Sequence, residues 1–407
     1  MRSAIAAVVT VSAVALATAQ SDKALIDRAL ELHKRVLTID THDDIPFDFA
    51  TPEVDPGVRG ERQVDLPKMR EGGLDVGFFV VFVGQTARTP EHYEKAKADA
   101  MTKFDAIHRM TEKMHPDKIG LAYTPADVER IHKSGRLVAA IGIENGYVIG
   151  KDISLIRKYH ALGARYVTLA HGGHNDIADS ATPRPDEPPA EHNGLSAFGR
   201  EAVAEMNRVG VMVDISHISK KAAMDAMAAS KAPVIASHSG ARAVNDHPRN
   251  LDDEALQALK KNGGVAQAVA LGGFVRNDPP EKRAALEALR KELGITGFGR
   301  GGVPADKRAE YDRRRAELDA KWPPANVKDF VNHIDHMVKL IGIDHVGISS
   351  DFDGGGGISG WNDAAETPNV TIELVRRGYT EPQIAKLWGG NLLRVWRNVE
   401  KAAQGTN

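Results

Sequence analysis

Between Ile39 and Pro46 the chain reads Ile-Asp-Thr-His-Asp-Asp-Ile-Pro, which sets His42 and Asp44 two residues apart, straight after the apolar run Val36-Leu37-Thr38-Ile39. Side chains two apart on an extended segment point the same way, so an imidazole nitrogen and a carboxylate oxygen can meet on one metal ion. The pair is half a site. Glu144, His171, His217, His238 and Asp351 each follow a further short apolar run downstream. Donors of this kind offer nitrogen and oxygen and no sulfur, a set suited to zinc. Three of these four histidines, one of the two aspartates and the glutamate already exceed the three protein ligands that a single catalytic zinc takes, and two ions sharing Glu144 as a bridge account for the surplus. Two ions held that way can share a hydroxide and polarise a carbonyl, taking the pKa of water from about 15.7 toward about 7. That is hydrolytic chemistry.

The elements that must position these residues alternate along the chain. Apolar runs predict strands near residues 36–40, 74–82, 137–143, 165–170, 211–215, 232–237, 264–270 and 345–350, with helical patterns between them at 90–113, 151–161, 195–209, 219–229, 253–262 and 326–341. Eight strand–helix units in one chain predict an α/β fold, a closed (β/α)8 TIM-like barrel in a single domain over residues 20–407. All seven candidates then fall at the carboxyl ends of strands, the face on which such barrels carry their active sites. Two segments interrupt the alternation. Residues 178–194, with Pro183-Arg-Pro-Asp-Glu-Pro-Pro189, read as a long loop stiffened by proline. Residues 275–325, helical from Glu281 to Leu293 and from Lys307 to Lys321 around a glycine-rich hinge at Gly297 to Gly302, read as a helical insertion after the seventh strand.

Other polar groups carry less. His333 and His336 share one helix face, but that helix precedes the last strand and should lie outside the barrel, where packing explains them better than ligation. Asp353 reads as a supporting group beside Asp351. The run Gly354 to Gly357 lacks the Gly-Lys-Ser/Thr of a phosphate loop. Asn391 reads as a helix cap.

The chain has 407 residues, 42% hydrophobic and 27% charged, with a formal net charge of −2, so it can bury a large core but offers no basic field for nucleic acid or an anionic membrane. The expected partners are small molecules. Arg2, the apolar stretch Ala4 to Leu16 and the small-x-small Ala17-Thr-Ala19 read as an export signal over residues 1–19, with cleavage before Gln20. The apolar stretch is shorter than the roughly 20 residues that span a bilayer, and no later segment is long and apolar enough to cross. With no cysteine, the chain forms no disulfide in whatever compartment it enters. The expected location is exported, periplasmic in a Gram-negative host or else secreted.

At these residues the chain resembles the renal or membrane dipeptidases, a zinc-dependent family within the metal-dependent amidohydrolases. The resemblance rests on Asp40-Thr-His-Asp-Asp44, Ile141-Gly-Ile-Glu-Asn145, Arg165-Tyr-Val-Thr-Leu-Ala-His171, Asp214-Ile-Ser-His217, Pro233-Val-Ile-Ala-Ser-His-Ser239, Pro248-Arg-Asn250, His345-Val-Gly-Ile-Ser-Ser-Asp-Phe-Asp-Gly354 and Gly390-Asn-Leu-Leu-Arg394. It covers practically the whole chain after the leader.

The resemblance implies a dipeptidase with two Zn2+ per chain, His42 and Asp44 holding one, His217 and His238 the other, and Glu144 bridging them. It implies that His171 contacts the substrate carbonyl, that Arg249 clamps the free carboxylate of the dipeptide, and that Asp351 accepts the proton of the attacking water and passes it to the leaving amine. It also implies a homodimer. Two departures stand out. Where mammalian members place a tyrosine on the substrate carboxylate, this chain has Ala270-Leu-Gly-Gly-Phe274, and Gly172-Gly-His-Asn-Asp-Ile-Ala-Asp179 differs as well. Rival readings are a related amidohydrolase acting on an N-acyl amino acid or lactam, and a catalytically silent metal-binding barrel; an intact Asp351 and Arg249 weigh against silence.

Overall fold

The computed structural model describes residues 22–296 and 302–405. The expected leader and residues 297–301 of the glycine-rich hinge lie outside them. Nine strands form one sheet: β1 (Ile39–Asp44), β2 (Val76–Phe82), β3 (Ile119–Leu121), β4 (Leu137–Glu144), β5 (Ala164–Thr168), β6 (Met212–Asp214), β7 (Ile235–Ala236), β8 (Val265–Val269) and β9 (Val346–Ser349). Eight of them run parallel in the order β1-β2-β4-β5-β6-β7-β8-β9, with the short β3 paired to β4 outside that path. The ring is drawn together where β1 meets the segment after β9. There the Asp44 N–H donates to the Phe352 carbonyl at 2.9 Å, and the Ser350 N–H donates to the Asp40 carboxylate at 2.9 Å. This is the expected TIM-like barrel.

Strand alternation sorts the core into an inner and an outer layer. Val76 and Phe78, Val138 and Ala140 turn inward and pack with Tyr166, Met212 and Val265, whereas Phe79 and Val81, Ala139 and Ile141 turn outward to the helices. The helix Asn391–Gln404 lays Leu392, Val395, Trp396 and Val399 against the inner set. Those contacts fall near the amino ends of the strands, so that end is plugged with apolar side chains and the carboxyl end is left for polar ones.

Several expectations shift. The first strand runs to Asp44, so His42 and Asp44 lie in its last residues rather than after it. The sixth barrel strand is only Ile235–Ala236, since the flanking Val234 and Ser237 N–H groups donate to the Asn262 and Asp214 side chains at 2.7 and 2.8 Å rather than to a neighbouring strand. β3 and the helix Pro125–Lys133 sit between β2 and β4, where no strand was expected. The insertion follows the seventh barrel strand as a hairpin, Pro280–Glu292 and Ala305–Lys321, whose inner face buries Leu289, Ile295, Val303 and Tyr311 as a separate small core. Asn391 is not a cap. Gly390 precedes the helix, and the Asn391 amide donates to the Ile343 and Val346 carbonyls at 2.6 and 2.8 Å, tying the helix to β9. His336 pairs with Asp253 at the surface. His333 is buried, accepting from the Ala241 N–H at 2.9 Å and meeting the Val275 carbonyl at 2.8 Å, so it joins the loops after β7 and β8. Among the described residues no helix is long and apolar enough to cross a membrane.

Gly142 on β4 leaves room for the ring of Tyr166; a Cβ there would lie 2.0 Å from Tyr166 Cζ. Gly142→Ala should therefore cost about 1–3 kcal/mol of stability, the usual range for overpacking, read from urea unfolding; a change within experimental error would mean that the ring can move aside freely.

Candidate metal centre

All seven polar candidates arrive at the carboxyl ends of the strands, and the four imidazoles among them surround one carboxylate. Glu144, the last residue of β4, places Oε1 2.8 Å from His217 Nε2, 3.3 Å from His238 Nε2, 3.5 Å from His42 Nε2 and 3.7 Å from His171 Nε2. His42 Nε2 is also 3.5 Å from Asp44 Oδ2 and 4.0 Å from Asp351 Oδ1. Three sets could each surround a cation, their donor atoms lying within 4.8 Å of one another: His42, Glu144 and His238; Glu144, His171 and His217; His42, Asp44 and Asp351. Glu144 and His42 belong to two sets each. The sets differ from the pairing that the resemblance implies, since His238 groups with His42 and His217 with His171, although His171 is the farthest of the four imidazoles from Glu144.

The backbone holds unusual conformations to achieve this. His217, Asp351 and Asn145, which follows Glu144, have φ of 69°, 60° and 78°, a region that side chains other than glycine's seldom occupy and that is maintained only where the surroundings enforce it. The proline-rich loop supplies part of that enforcement. Its Ala181 N–H donates to the His217 carbonyl at 2.7 Å, and the Ser219 N–H reaches the Asp179 carbonyl at 2.7 Å. Asp179, in the segment that departs from the mammalian pattern, accepts the N–H groups of Glu191, His192 and Gly194 and so folds the loop onto itself.

Two imidazoles are oriented from behind. The Tyr166 hydroxyl donates to the Thr41 carbonyl at 2.9 Å, so at 3.0 Å from His42 Nδ1 it can only accept, which puts the ring proton on Nδ1 and leaves the Nε2 lone pair facing the centre. The Ser237 hydroxyl similarly donates to Asp214 at 2.6 Å and stands 2.8 Å from His238 Nδ1. Tyr166, Ser237 and Asp214 were not among the expected site residues. His42 Nε2 is buried and has no hydrogen-bond partner among the described residues. A buried acceptor left bare is costly, and a cation would satisfy it.

The electrostatics agree with the donor set except at His42. There burial lowers the imidazole, but Tyr166, Glu144 and Asp44 outweigh it and raise it well above its usual range. Burial opposes the charge on Glu144, but His42, His171 and His217 outweigh it and hold the carboxyl well below its usual range. Burial, helped by Arg249, pushes His217 and His238 well below theirs and keeps them neutral, the form that binds metal. Burial together with the Asp44 and Glu144 charges raises Asp351 well above the ordinary carboxylate.

Arg249 closes one side. It is buried, with one Nη2 bond to the His238 carbonyl at 3.2 Å, its Nε unpartnered and its guanidinium 5.3 Å from the Phe274 ring. Among the described residues no carboxylate pairs with it. A cavity of about 300 Å³ lies beside Arg249 and His217, walled by Pro183, Pro189, Ile218 and Leu251.

Comparison with known proteins fits this geometry. The sequence profile of the membrane dipeptidases, peptidase family M19, matches residues 26–407. The dipeptidase tcpJ of Claviceps purpurea is 34% identical over 345 residues, 84% of this chain and 70% of that protein. The dipeptidase verJ of Clonostachys rogersoniana is 32% identical over 401 residues, covering 94% and 90% respectively. The crystal structure titled probable dipeptidase PvdM from Pseudomonas aeruginosa superposes with a TM-score of 0.82 at 36% identity, covering 94% of this chain and all of that one. A profile match across nearly the whole chain, on a barrel with its polar residues gathered around Glu144, places the protein in the membrane dipeptidase family.

Proposed function

We propose that the protein hydrolyses the peptide bond of dipeptides at a centre of two zinc ions. The observation that carries this reading is the conjunction of a carboxylate surrounded by four imidazoles with a buried, unpaired arginine at its side. His42 and Asp44 would hold one ion, His217 and His238 the other, with Glu144 between them, and the bare His42 Nε2 fits that donor role. When bound, the ions would supply Lewis acidity, acidifying a water and polarising the scissile carbonyl. The chain's own groups would do the rest. Arg249 carries spare N–H donors and an uncompensated charge, suited to a substrate carboxylate. His171, with 32% of its side chain exposed, is open to the carbonyl oxygen and can stabilise it as charge develops. Asp351 stands within reach of both His42 and Asp44 and can take a proton from the attacking water and give it to the departing amine nitrogen.

The clamp separates substrates with a free carboxylate, dipeptides and N-acyl amino acids alike, from peptide amides, which have none. Export, read from Arg2 to Ala19, belongs to the same proposal and would be checked by sequencing the amino terminus of protein recovered from outside the cytoplasm.

Purified protein should carry about two zinc ions per chain, lose turnover on chelation and regain it when metal returns. Glu144→Gln should lose both zinc and kcat; full activity at one zinc per chain would overturn the bridged centre. Tyr166→Phe leaves His42 without its acceptor and should weaken zinc binding by about 10- to 100-fold in a chelator competition, with unchanged affinity counting against that role. Removing a charge-assisted contact worth about 1.5–3 kcal/mol means that Arg249→Ala should lower kcat/KM on a dipeptide about 10- to 100-fold, with little effect on the already slow C-terminal amide. Equal wild-type rates on dipeptide and amide would remove the clamp.

A further inference from the structure

The loop that follows β9 must hold Asp351 beside Asp44, and its backbone is strained. Asp351 and Asp353 both have positive φ, 60° and 62°. Gly354 comes so close that a Cβ would lie 2.2 Å from Asp44 Oδ2 and 2.5 Å from Asp351 Oδ1. The Asp351 carbonyl accepts the N–H groups of Gly354 and Gly356 at 3.2 and 2.7 Å, which closes the loop but anchors it to nothing outside itself. Besides the Asp44 N–H bond to the Phe352 carbonyl and the Gly357 N–H bond to the Ala270 carbonyl, the outside anchor comes from residues 62–64, in the connection between β1 and β2. Asp353 does not turn toward the centre. Its carboxylate accepts the Gln63 and Val64 N–H groups at 3.1 and 3.2 Å and pairs with Arg62 Nη2 at 3.0 Å. In return, the Asp353 N–H donates to Gln63 Oε1 at 2.7 Å, and Gln63 Nε2 donates to the Gly356 and Asn362 carbonyls at 3.0 and 2.7 Å. Arg62 Nη2 also donates to the Asp44 carbonyl at 2.7 Å. One guanidinium thus touches the backbone of Asp44 and the side chain that fixes the Asp351 loop.

We propose that Asp353, Gln63 and Arg62 form a latch that sets the separation of Asp44 and Asp351, making them positioning residues for proton transfer rather than part of the metal centre. The inference rests on Asp351 being the proton carrier. A latch across this point is needed because β1 and β9 are joined by few direct bonds, while the two carboxylates they carry repel each other and need fixed geometry. A misplacement of about 1 Å far from the chemistry can cost on the order of 100-fold.

The test uses Asp353→Asn, which keeps the shape but loses the charge facing Arg62, and Gln63→Met, which removes the other anchor. Each should lower kcat by about 10- to 100-fold on zinc-loaded, folded protein, with KM and zinc content little changed. Arg62→Met combined with Asp353→Asn should lose less than the product of the two single losses, because both break one ion pair. Asp351→Asn, measured alongside, separates the two ideas. If it retains kcat, the proton-carrier reading falls; if it loses kcat while Asp353→Asn and Gln63→Met retain theirs, the latch falls. Losses that multiply in the double variant, or that appear only as lost zinc or lost folded protein, also overturn the latch.

Discussion

The ionised carboxylate of Glu144, buried among imidazoles at the open end of a closed barrel, is the constraint on which the other features depend. An isolated buried carboxylate is among the most expensive groups a protein can carry, and histidine neighbours offset that cost only if they stay close. Four of them come from four different strands, each within 4 Å of Glu144. The barrel makes this possible because parallel strands end on one face, so residues far apart in the chain converge without long loops. Two of the imidazoles, His217 and His238, bring their Nε2 atoms to 2.7 Å of each other. At that separation two neutral rings can share one N–H···N hydrogen bond in one tautomer, or turn both lone pairs to a cation in another.

Cooperation between the ends of the barrel follows from the same constraint. The inner apolar layer, with Phe78 5.6 Å from Tyr166 and 5.8 Å from Trp396, fills the lower part and fixes the Tyr166 ring. Only the hydroxyl of Tyr166 reaches the polar layer, where it aims His42. Packing at the bottom is thereby converted into orientation at the top, and the absent side chain of Gly142 is the space through which the ring passes. The loops above brace the strained residues. Strain at His217 and Asp351 is tolerated because the Ala181 N–H holds the His217 carbonyl and the Asp353 segment is held by several hydrogen bonds.

The sequence made the donors legible because a polar residue at a strand end is a local signal: His42 with Asp44, and single donors after five of the seven later apolar runs. It made the barrel legible because eight such runs alternate with helical patterns. What it hid lies across long separations. Tyr166 meets His42 over 124 positions, Asp353 meets Gln63 over 290, and no spacing announces either. Asn391 looked like a cap because it opens a helix, yet its amide serves a strand 45 positions away. One short element was hidden for another reason: β3 has three residues, too few for a periodicity, and register with β4 is what makes it a strand, whereas β7 was expected near 232–237 and proved shorter, at two residues.

The departures from the mammalian pattern bear on recognition. Phe274 stands where a hydroxyl was missed, and its ring lies 5.3 Å from Arg249 and 4.4 Å from His247. A phenylalanine cannot hydrogen-bond a carboxylate, but its face can support a guanidinium and exclude water from it. Arg249 is then the principal charged donor on its side of the cavity, and its unpaired burial acquires a reason. A barrel that only stored metal would gain nothing from an uncompensated cation packed against its donors, since that cation opposes metal binding. Its presence there is intelligible when a ligand's anion completes the pair, with the wall from Pro183 to Pro189, supported by Asp179, limiting what can follow the anion into the cavity.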